Sequence, residues 1–295
     1  MYDAVIIGAG TAGMTAGIYL ARRGMDAVIL ESDTYGGQII NSREIENYPG
    51  IKSVSGFDFA TGLYEQTLSL GGDIRPGRVS GINTGSGYMT VLTDDGEYDC
   101  KKVIIASGAK NRPLGLRGED ELIGRGISYC ANCDGAFFKN KTVAVVGGGN
   151  TALDDAEFLA GICERVYLIH RRDEFRGDSV TVEALRQRSN VEFVLSKTVT
   201  SLKKGANGSL EAVTVTGGGS ETELNVSGLF VAVGQVPNTD FVRGVVETDP
   251  SGYIVAGEDC RTSVPGIYAA GDCRTKSLRQ LVTAAADGAA AASAV

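Results

Sequence analysis

An internal near-duplication constrains the fold of this chain more than any other feature of its sequence. The apolar, β-branched run 4–7 leads into a glycine-rich loop, 8–13, and then into a helical stretch that ends before Gly24. The same pattern returns in the second half, where the run 143–146 precedes the loop 147–152. Each half later carries a turn between short strand-like runs and then an apolar strand that ends in glycine. The repeat predicts an α/β chain of two Rossmann-like dinucleotide-binding domains, each with a small antiparallel insert.

Length and glycine content agree with this prediction. At 295 residues the chain suits two domains of ordinary size rather than one core. It contains 41 glycines, about twice the average usage. Because these glycines do not recur at a fixed short period, we interpret them as tight turns and as places where the backbone approaches a ligand closely.

The charge balance excludes some classes of partner. The formal net charge is −8, and an acidic protein repels phosphate backbones and anionic lipids, so we expect neither nucleic acid nor a membrane as a partner. No apolar run is long enough to span a bilayer, and the amino terminus leads straight into a strand without a secretory signal. A cytoplasmic location is therefore expected, where cysteines stay reduced unless they are redox-active.

Both glycine loops lie where a nucleotide pyrophosphate binds, between a strand and a helix. The first glycine permits the tight turn, the second lets the backbone approach the phosphates, and the third lets helix and strand pack closely. The helix amino terminus supplies free N–H groups and a positive dipole end. Two such loops in the right context, the first followed by Glu31 at the end of the next strand, favour two nucleotide sites.

The second strands of the two halves end in opposite charges, which predicts two different nucleotides. Glu31 can accept hydrogen bonds from both ribose hydroxyls, which suits FAD or NAD. The equivalent position in the second half is the basic run 170–172, with Arg176 close behind. Guanidinium groups bind a 2′-phosphate that a carboxylate would repel, so the second site is predicted to take NADPH. A solvated basic patch beside the acidic residues 173–174 is the alternative interpretation.

Cys130 and Cys133 are the only two of six cysteines that are close in sequence. Positions i and i+3 on one helical turn lie within reach of a disulfide, and so short a loop makes a poor structural staple and a good redox switch. Zinc would need a second ligand pair, which the other four cysteines do not form, so those four are interpreted as buried apolar residues. Asp134 is a candidate proton carrier, or alternatively the cap of a turn.

The chain resembles the bacterial low-molecular-weight NADPH-dependent thioredoxin reductases, class II of the pyridine nucleotide-disulfide oxidoreductases, over nearly its whole length. The cysteine pair followed by Asp134, the HRRxxxR motif at 170–176 and the glycine-aspartate block at 266–272 are the most specific points of resemblance. The other matching blocks are 8–13, 36–38, 46–50, 105–108, 147–152 and 262–280. The resemblance implies a homodimeric flavoprotein whose domains swivel to present either NADPH or the disulfide to the flavin.

The resemblance also implies three-layer ββα domains, with the second domain inserted in the first. The FAD-binding domain would be discontinuous, comprising 1–110 and 241–295. The NADPH-binding domain would comprise 111–240 and carry the cysteine pair.

Roles for individual residues follow from the same resemblance. Cys133 would face the flavin, Cys130 would attack thioredoxin, and Asp134 would act as acid and base. The implied FAD-binding residues are Gly8, Gly10, Thr11, Ala12, Gly13, Glu31, Gly36, Gly37, Gln38, Asn47, Ser107, Gly108, Gly271, Asp272, Arg279, Gln280 and Leu281. The implied NADPH-binding residues are Gly147, Gly149, Asn150, Thr151, Ala152, His170, Arg171, Arg172 and Arg176. No metal site is expected.

The predicted function is thioredoxin-disulfide reduction. Electrons would pass from NADPH through FAD and the Cys130–Cys133 disulfide to thioredoxin or a similar small redox protein. One alternative keeps the fold but is a flavin dithiol oxidase, or a thioredoxin reductase that uses another donor such as ferredoxin; such relatives tend to lose the basic motif. A second alternative is a non-catalytic flavin-bound redox sensor, which has no need of two nucleotide sites plus a dithiol.

Overall fold

The computed structural model describes residues 1–42, 44–85 and 87–295. The chain divides into two compact units, and the second is inserted within the first. The first unit comprises Met1–Lys110 and Val236–Val295, and the second unit comprises Asn111–Gln235.

The first unit is built on a seven-stranded sheet. Its strands are β1 (Tyr2–Ile7), β2 (Ala27–Glu31), β3 (Asp73–Pro76), β4 (Val79–Thr84), β5 (Met89–Thr93), β6 (Glu97–Ile105) and β17 (Ile267–Ala269). The order is β3-β2-β1-β6-β5-β4, and β17 pairs with β6. Strands β3, β2, β1, β6 and β17 are parallel, whereas β4, β5 and β6 form an antiparallel meander.

Three helices cover this sheet, and the first and last of them lie close together. They are α1 (Thr11–Arg22), α2 (Gly56–Ser69) and α7 (Leu281–Ala294). Short 3₁₀ turns occupy Gly37–Asn41, Asp240–Val242 and Gly271–Cys273. Helix α2 begins at a side-chain cap, because Ser55 Oγ accepts the N–H of Asp58 at 3.0 Å.

Alternation along the central strand places one apolar face on each side of the sheet. Val5 and Ile7 of β1 pack in a core with residues of β4 and β5. Ala4 and Ile6 pack in a second core with residues of α1 and α7. Because successive strand residues point to opposite faces, a strand that is apolar at every position is buried on both sides. The result is three layers: helices, parallel sheet and meander.

The second unit repeats this plan with a five-stranded parallel sheet. Its strands are β8 (Ile127–Ser128), β9 (Thr142–Gly147), β10 (Arg165–His170), β11 (Val191–Leu195) and β15 (Gly228–Ala232), in the order β11-β10-β9-β15-β8. The meander consists of β12 (Thr198–Lys204), β13 (Leu210–Gly217) and β14 (Ser220–Asn225). A separate two-stranded sheet pairs β7 (Ala109–Asn111) with β16 (Gln235–Pro237).

The helices of the second unit are short. They are α3 (Glu119–Leu122), α4 (Ala131–Asp134), α5 (Asn150–Ala160) and α6 (Ser179–Arg186), with a 3₁₀ turn at Gly135–Phe138. Val143 and Val145 of β9 pack with α5 and α6, whereas Ala144 and Val146 pack with the meander. The predicted fold, two Rossmann-like ββα units with the second inserted in the first, is confirmed.

Two possible features do not occur in the described part of the chain. None of its helices combines the length and the apolar composition that a membrane-spanning segment requires. No group of three or more His, Cys, Asp and Glu side chains is placed so that it could hold a metal ion.

The close approach of α1 and α7 generates a prediction about stability. A Cβ at Gly288 would overlap the carbonyl oxygen of Ala12, whereas a Cβ at Gly62 in α2 would meet nothing within 4 Å. We expect Gly288→Ala to destabilise the protein by about 1–3 kcal/mol through overpacking. The control Gly62→Ala should be neutral or stabilise by up to about 1 kcal/mol, because alanine favours a helix over glycine.

Thermal unfolding followed by circular dichroism measures both variants. A Gly288→Ala protein that unfolds at or above the temperature of the Gly62→Ala protein would contradict the packing described here.

Candidate active site

The two cysteines predicted to be redox-active form a disulfide at the amino end of a short helix. Cys130 is an extended residue that immediately precedes α4, and Cys133 lies inside α4, with Cα atoms 5.3 Å apart. The backbone N–H groups of Cys133 and Asp134 both donate to the Cys130 carbonyl oxygen, at 3.2 and 3.1 Å. Both cysteines are partly exposed. The predicted disulfide is confirmed, and it lies where another molecule can approach it.

Residues 130–135, which we call the redox turn, pack against α5 through two small residues. Ala131 is fully buried. A Cβ at Gly135 would lie 2.8 Å from Phe158 Cε1 and 3.1 Å from Leu159 Cδ2. A larger residue there would require the Phe158 and Leu159 side chains to move, so Gly135 allows the turn to pack closely against α5.

Asp134, the predicted proton carrier, is held by a serine. Ser128 Oγ donates to Asp134 Oδ2 at 2.6 Å and accepts the N–H of Cys130 at 3.1 Å. Burial raises the pKa of Asp134, and the Ser128 hydrogen bond acts in the opposite direction. Sequence reasoning missed Ser128, which is 4% exposed at the end of β8. The only feature in the sequence that could have indicated Ser128 is its position as a small polar residue at the end of an apolar strand.

A buried glutamate holds the residue next to Cys130. Glu119 accepts the N–H groups of residues 114–116 at 2.9, 2.8 and 3.2 Å, and its Oε1 also accepts the hydroxyl of Tyr129 at 3.0 Å. Burial raises the pKa of Tyr129, and the hydrogen bond and charge of Glu119 add to the effect. The sequence did not indicate this pair, since each residue taken alone reads as an ordinary surface residue.

A second buried carboxyl lies on α5. Asp155 is 7% exposed. Burial raises its pKa to about 7, the charge of Asp154 acts in the same direction, and the backbone N–H of Ala131 opposes both. Asp155 is therefore a carboxyl group in contact with the redox turn at Ala131, and its pKa lies near neutrality. The sequence alone does not distinguish Asp155 from its neighbour Asp154, and two adjacent acids are typical of a solvated helix face.

The other four cysteines take no part in this site. They are all buried, and burial raises the pKa of each thiol to about 11: Cys100, Cys163, Cys260 and Cys273. A thiol with so high a pKa is a poor nucleophile at neutral pH.

The first glycine loop has the form that a pyrophosphate requires. Gly8 has φ +106°, and a Cβ at Gly13 would overlap the Gly8 carbonyl oxygen. Gly10 precedes α1 without any side-chain cap, and a Cβ there would meet nothing within 4 Å. Glu31 Oε2 accepts the N–H of Ala9 at 2.7 Å. The loop therefore combines a free helix amino terminus, open space and a nearby carboxylate.

Some of the remaining residues predicted for this site contact the same loop, and others contact one another. A Cβ at Gly8 would lie 2.5 Å from the Ala106 carbonyl oxygen and 3.3 Å from Ser107 Cα, and a Cβ at Gly271 would lie 2.9 Å from Ala12 Cβ. Residues 36 and 10 form a backbone bridge. Gln280 caps α7 and accepts the side-chain amide of Asn47 at 3.1 Å. Of the other predicted residues, Thr11 and Ala12 lie in α1, Gly37 and Gln38 in the 3₁₀ turn Gly37–Asn41, and Leu281 in α7, whereas Gly108 and Arg279 lie between elements.

Asp272 has an unused hydrogen-bonding oxygen. Its Oδ1 is buried and has no hydrogen-bond partner in the described part of the chain. Burial raises the pKa of Asp272, while the charges of Lys276 and Arg279 act in the opposite direction. A buried carboxylate oxygen without a donor is costly, so this position calls for a donor from a bound molecule.

A buried ion network holds the loop that carries Asp272. Asp287 accepts Arg274 Nη2 at 2.6 Å, Lys276 Nζ at 2.9 Å and the N–H of Gly271 at 2.9 Å. Burial alone would raise the pKa of Asp287, but its hydrogen bonds to Arg274 and Lys276 and their charges together outweigh burial and hold the pKa below its ordinary value. Sequence reasoning missed this network, because Asp287 stands alone in an alanine-rich helix.

The second glycine loop follows the same plan with one substitution. Gly149 precedes α5 without a side-chain cap, and Ala152 occupies the position of the third glycine. Asn150 Oδ1 accepts the N–H of Asp178 at 2.8 Å, and the Arg176 N–H donates to the Gly148 carbonyl oxygen at 2.8 Å. The segment after β10 is thereby tied to the glycine loop, which also contains the predicted residues Gly147 and Thr151.

The four basic residues after β10 occupy two different environments. Arg171, Arg172 and Arg176 are exposed and form no salt bridge in the described part of the chain. His170 is 5% exposed, its Nε2 pairs with the Glu174 carbonyl oxygen at 3.1 Å, and its ring fills the space beside Gly148. Burial lowers the pKa of His170, and the three arginines add to the effect. His170 shapes the loop, whereas the arginines present charge to solvent.

Comparison with known proteins identifies the class. Residues 2–288 match the family model described as pyridine nucleotide-disulphide oxidoreductase, and the chain belongs to that family. Curated thioredoxin reductases of Listeria monocytogenes and Bacillus subtilis are 42% and 39% identical to it. These alignments cover 98% and 100% of this chain and 91% and 94% of those proteins. The chain is therefore a member of the thioredoxin reductase branch.

Solved structures agree. The crystal structure of thioredoxin reductase from Streptococcus pyogenes superposes with a TM-score of 0.93 at 40% identity, covering 99% of this chain and 96% of that one. Thioredoxin reductase from Giardia duodenalis gives a TM-score of 0.92 at 32% identity, covering 99% and 96%.

The Asp287 network generates a prediction about pH. Because the pKa of Asp287 is lowered on folding, its contribution to stability is complete above the ordinary carboxyl range and is lost as the pH falls through the lowered value. Asp287→Asn leaves two buried cations without a counter-charge and should cost about 3–5 kcal/mol at neutral pH. It should also flatten the loss of stability that the unmodified protein shows as the pH falls below about 5.

The exposed pair Asp240–Arg243 supplies the control, since Asp240→Asn should cost at most about 1 kcal/mol. Urea unfolding at several pH values measures all three proteins. Equal costs for the two substitutions would refute the assigned role of Asp287.

Proposed function

We propose that this protein is a thioredoxin-disulfide reductase that moves electrons from NADPH through FAD and the Cys130–Cys133 disulfide to thioredoxin or a similar small redox protein. The observation that carries the proposal is the disulfide itself, which is partly exposed on a turn that also holds Asp134. Its thioredoxin reductase relatives match the chain over nearly its full length, which supports the same activity here.

The first unit fits FAD. The open space at Gly10 and the uncapped amino end of α1 suit a pyrophosphate. The partnerless Oδ1 of Asp272 suits a hydroxyl donor of the ribityl chain. Each Glu31 oxygen already accepts one N–H and has a lone pair left for a ribose hydroxyl. FAD, when bound, accepts a hydride and passes on an electron pair.

The second unit fits NADPH. Gly147, Gly149 and the amino end of α5 would hold the pyrophosphate, with Asn150, Thr151 and Ala152 opening that helix. The exposed Arg171, Arg172 and Arg176 would bind the 2′-phosphate. The buried ring of His170 would set the course of the backbone from which they extend. On this basis we propose that FAD binds the unit Met1–Lys110 with Val236–Val295 and that NADPH binds the unit Asn111–Gln235, a boundary five residues earlier than the predicted 240/241.

The chemistry of this chain lies in its dithiol. An electron pair opens the S–S bond, and the two sulfurs take up two protons or remain as thiolates. The Cys130 thiolate then attacks the partner's disulfide to form a mixed disulfide, and Cys133 attacks that bond to release the reduced partner. Asp134 gives up and recovers the proton, and its raised pKa suits it to carry one.

The charge of the second site predicts which nucleotide it prefers. Neutralising Arg171, Arg172 and Arg176 together should raise KM for NADPH strongly and leave KM for NADH nearly unchanged. Each charge-assisted contact is worth on the order of 1.5–3 kcal/mol, so even one lost contact should raise KM for NADPH at least tenfold. Steady-state kinetics with both nucleotides measures this.

Arg188→Ala, an exposed arginine of the same unit that follows α6, is the matched control and should change neither constant. Equal use of NADPH and NADH by the unmodified protein would refute the assignment.

The two cysteines should behave differently when replaced. If Cys133 faces the flavin, Cys130→Ser leaves a thiolate beside an electron-poor ring, and the protein should show a long-wavelength charge-transfer band. Cys133→Ser should show no such band and should trap thioredoxin as a stable mixed disulfide, because no second thiol resolves it. Absorbance spectra and non-reducing electrophoresis measure these outcomes. A band in Cys133→Ser alone would exchange the two roles.

A direct experiment separates the proposed function from its alternatives. The purified protein should be yellow, should be bleached by NADPH and should then reduce thioredoxin. Bleaching only by another donor would favour a ferredoxin-type reductase, and bleaching without transfer to thioredoxin would favour a dithiol oxidase. Bleaching by NADPH excludes the sensor. The family resemblance also leads us to propose a homodimer in the cytoplasm.

A further inference from the structure

Ser128 is placed so that its hydroxyl can serve two protonation states of Asp134. Its Oγ lies 2.6 Å from Asp134 Oδ2, 3.1 Å from the Cys130 nitrogen and 3.3 Å from the Cys130 carbonyl oxygen. The residue is 4% exposed, so water does not compete freely for this hydroxyl. Three polar atoms therefore surround one oxygen in a nearly closed environment.

A serine hydroxyl has one proton to donate and two lone pairs. When Asp134 is charged, the proton points to Oδ2, since that contact is the shorter and is charge-assisted, and the Cys130 N–H donates to Oγ. When Asp134 is protonated, its own O–H can donate to Oγ. The Ser128 hydroxyl then rotates toward the Cys130 carbonyl oxygen at 3.3 Å and shares that acceptor with the N–H groups of Cys133 and Asp134. Every donor keeps an acceptor in both states without movement of a heavy atom.

We propose that Ser128 is the positioning residue of the acid–base group, a hydroxyl rotor that holds Asp134 in one place through protonation and deprotonation and ties it to the Cys130 backbone. In each cycle Asp134 takes up one proton from solvent, which forms its O–H bond, and gives that proton to a sulfur of the opened disulfide, which breaks the bond; the Ser128 hydroxyl rotates, and neither side chain gains or loses an electron. The inference rests on the proposed function in one respect, the use of Asp134 as proton carrier for the dithiol.

The surroundings leave Ser128 as the main polar influence on Asp134. Asp134 forms no salt bridge in the described part of the chain. From α5, Asp155 faces the Ala131 N–H rather than Asp134. On the other side of the turn, Glu119 is engaged by Tyr129 and by backbone N–H groups. The two cysteines of the same turn do not titrate here because they form the disulfide, and burial and the Ser128 hydrogen bond are the causes of the shift in the pKa of Asp134.

The test follows the protonation of Asp134 directly. Infrared spectra of the full-length oxidised flavoprotein, taken over a pH series, should contain a protonated-carboxyl band that is missing from Asp134→Asn. Ser128→Ala removes the donor that favours the charged form, so this band should persist to higher pH than in the unmodified protein. The acid limb of the rate of thiol–disulfide exchange with a small disulfide should shift in the same direction, and the rate at neutral pH should fall about tenfold.

Two further variants make the result specific. Ser128→Thr keeps the hydroxyl and should restore the midpoint of the band. Tyr129→Phe removes a hydroxyl from the neighbouring residue, breaks its hydrogen bond to Glu119 and should leave the midpoint where it is. An unchanged midpoint in Ser128→Ala, a shift in Ser128→Thr equal to that in Ser128→Ala, or an equal shift in Tyr129→Phe would overturn the proposal.

The outcome is independent of the proposed function as a whole. The infrared midpoint is measured without NADPH or thioredoxin, so it is unaffected if the protein reduces a different partner. Conversely, an unmodified protein that fails to reduce thioredoxin would reject the proposed function and leave the Ser128 result in place.

Discussion

Close approaches of one backbone segment to another occur in both units, and the two glycine loops depend on them. A Cβ at Gly13 would overlap the Gly8 carbonyl oxygen, and a Cβ at Gly147 would overlap the carbonyl oxygen of Ala232. Since hydrogen is the only substituent that fits at these positions, the helix amino terminus can come down onto the ends of the parallel strands. The free N–H groups are thereby brought to the edge where a phosphate can reach them. The three-layer packing then holds that geometry from both sides of each sheet.

Much of this framework is readable from local sequence, because the features involved are short-range. Strand runs, glycine loops and a CxxC pair can each be recognised within a window of about ten residues. The internal duplication indicates that the chain contains two domains of the same type. The residues that escaped prediction are joined over longer distances or through backbone atoms. Asp287 accepts the N–H of Gly271 only because α7 folds back onto that turn. Glu119 accepts the hydroxyl of Tyr129 across a bend in the chain that the hydrophobic pattern does not predict. His170 shows the converse, since a basic motif in the sequence conceals that one of its members is buried.

Four aspartates with shifted pKa values occupy two kinds of environment. Asp287 is matched by two cations and a backbone N–H, and the pKa of its side chain is lowered, so it contributes to structure at neutral pH. Asp134, Asp155 and Asp272 have no such matching charge in direct contact, and burial raises the pKa of each. Charge compensation therefore separates the acid that holds the fold from the acids free to exchange protons or to meet a ligand.

In the redox turn, the bond that reacts is different from the contacts that hold the turn in place. The disulfide closes a loop between residues only 3 apart, so opening it releases little chain entropy and costs the fold little. What fixes the turn is independent of the S–S bond: Ala131 and Gly135 pack on α5, and the Ser128 and Tyr129 hydroxyls bond to Asp134 and Glu119. Because these contacts do not involve sulfur, they can persist when the bond opens. The oxidised and reduced forms can then share one framework, so the sulfurs can exchange partners without the unit having to refold.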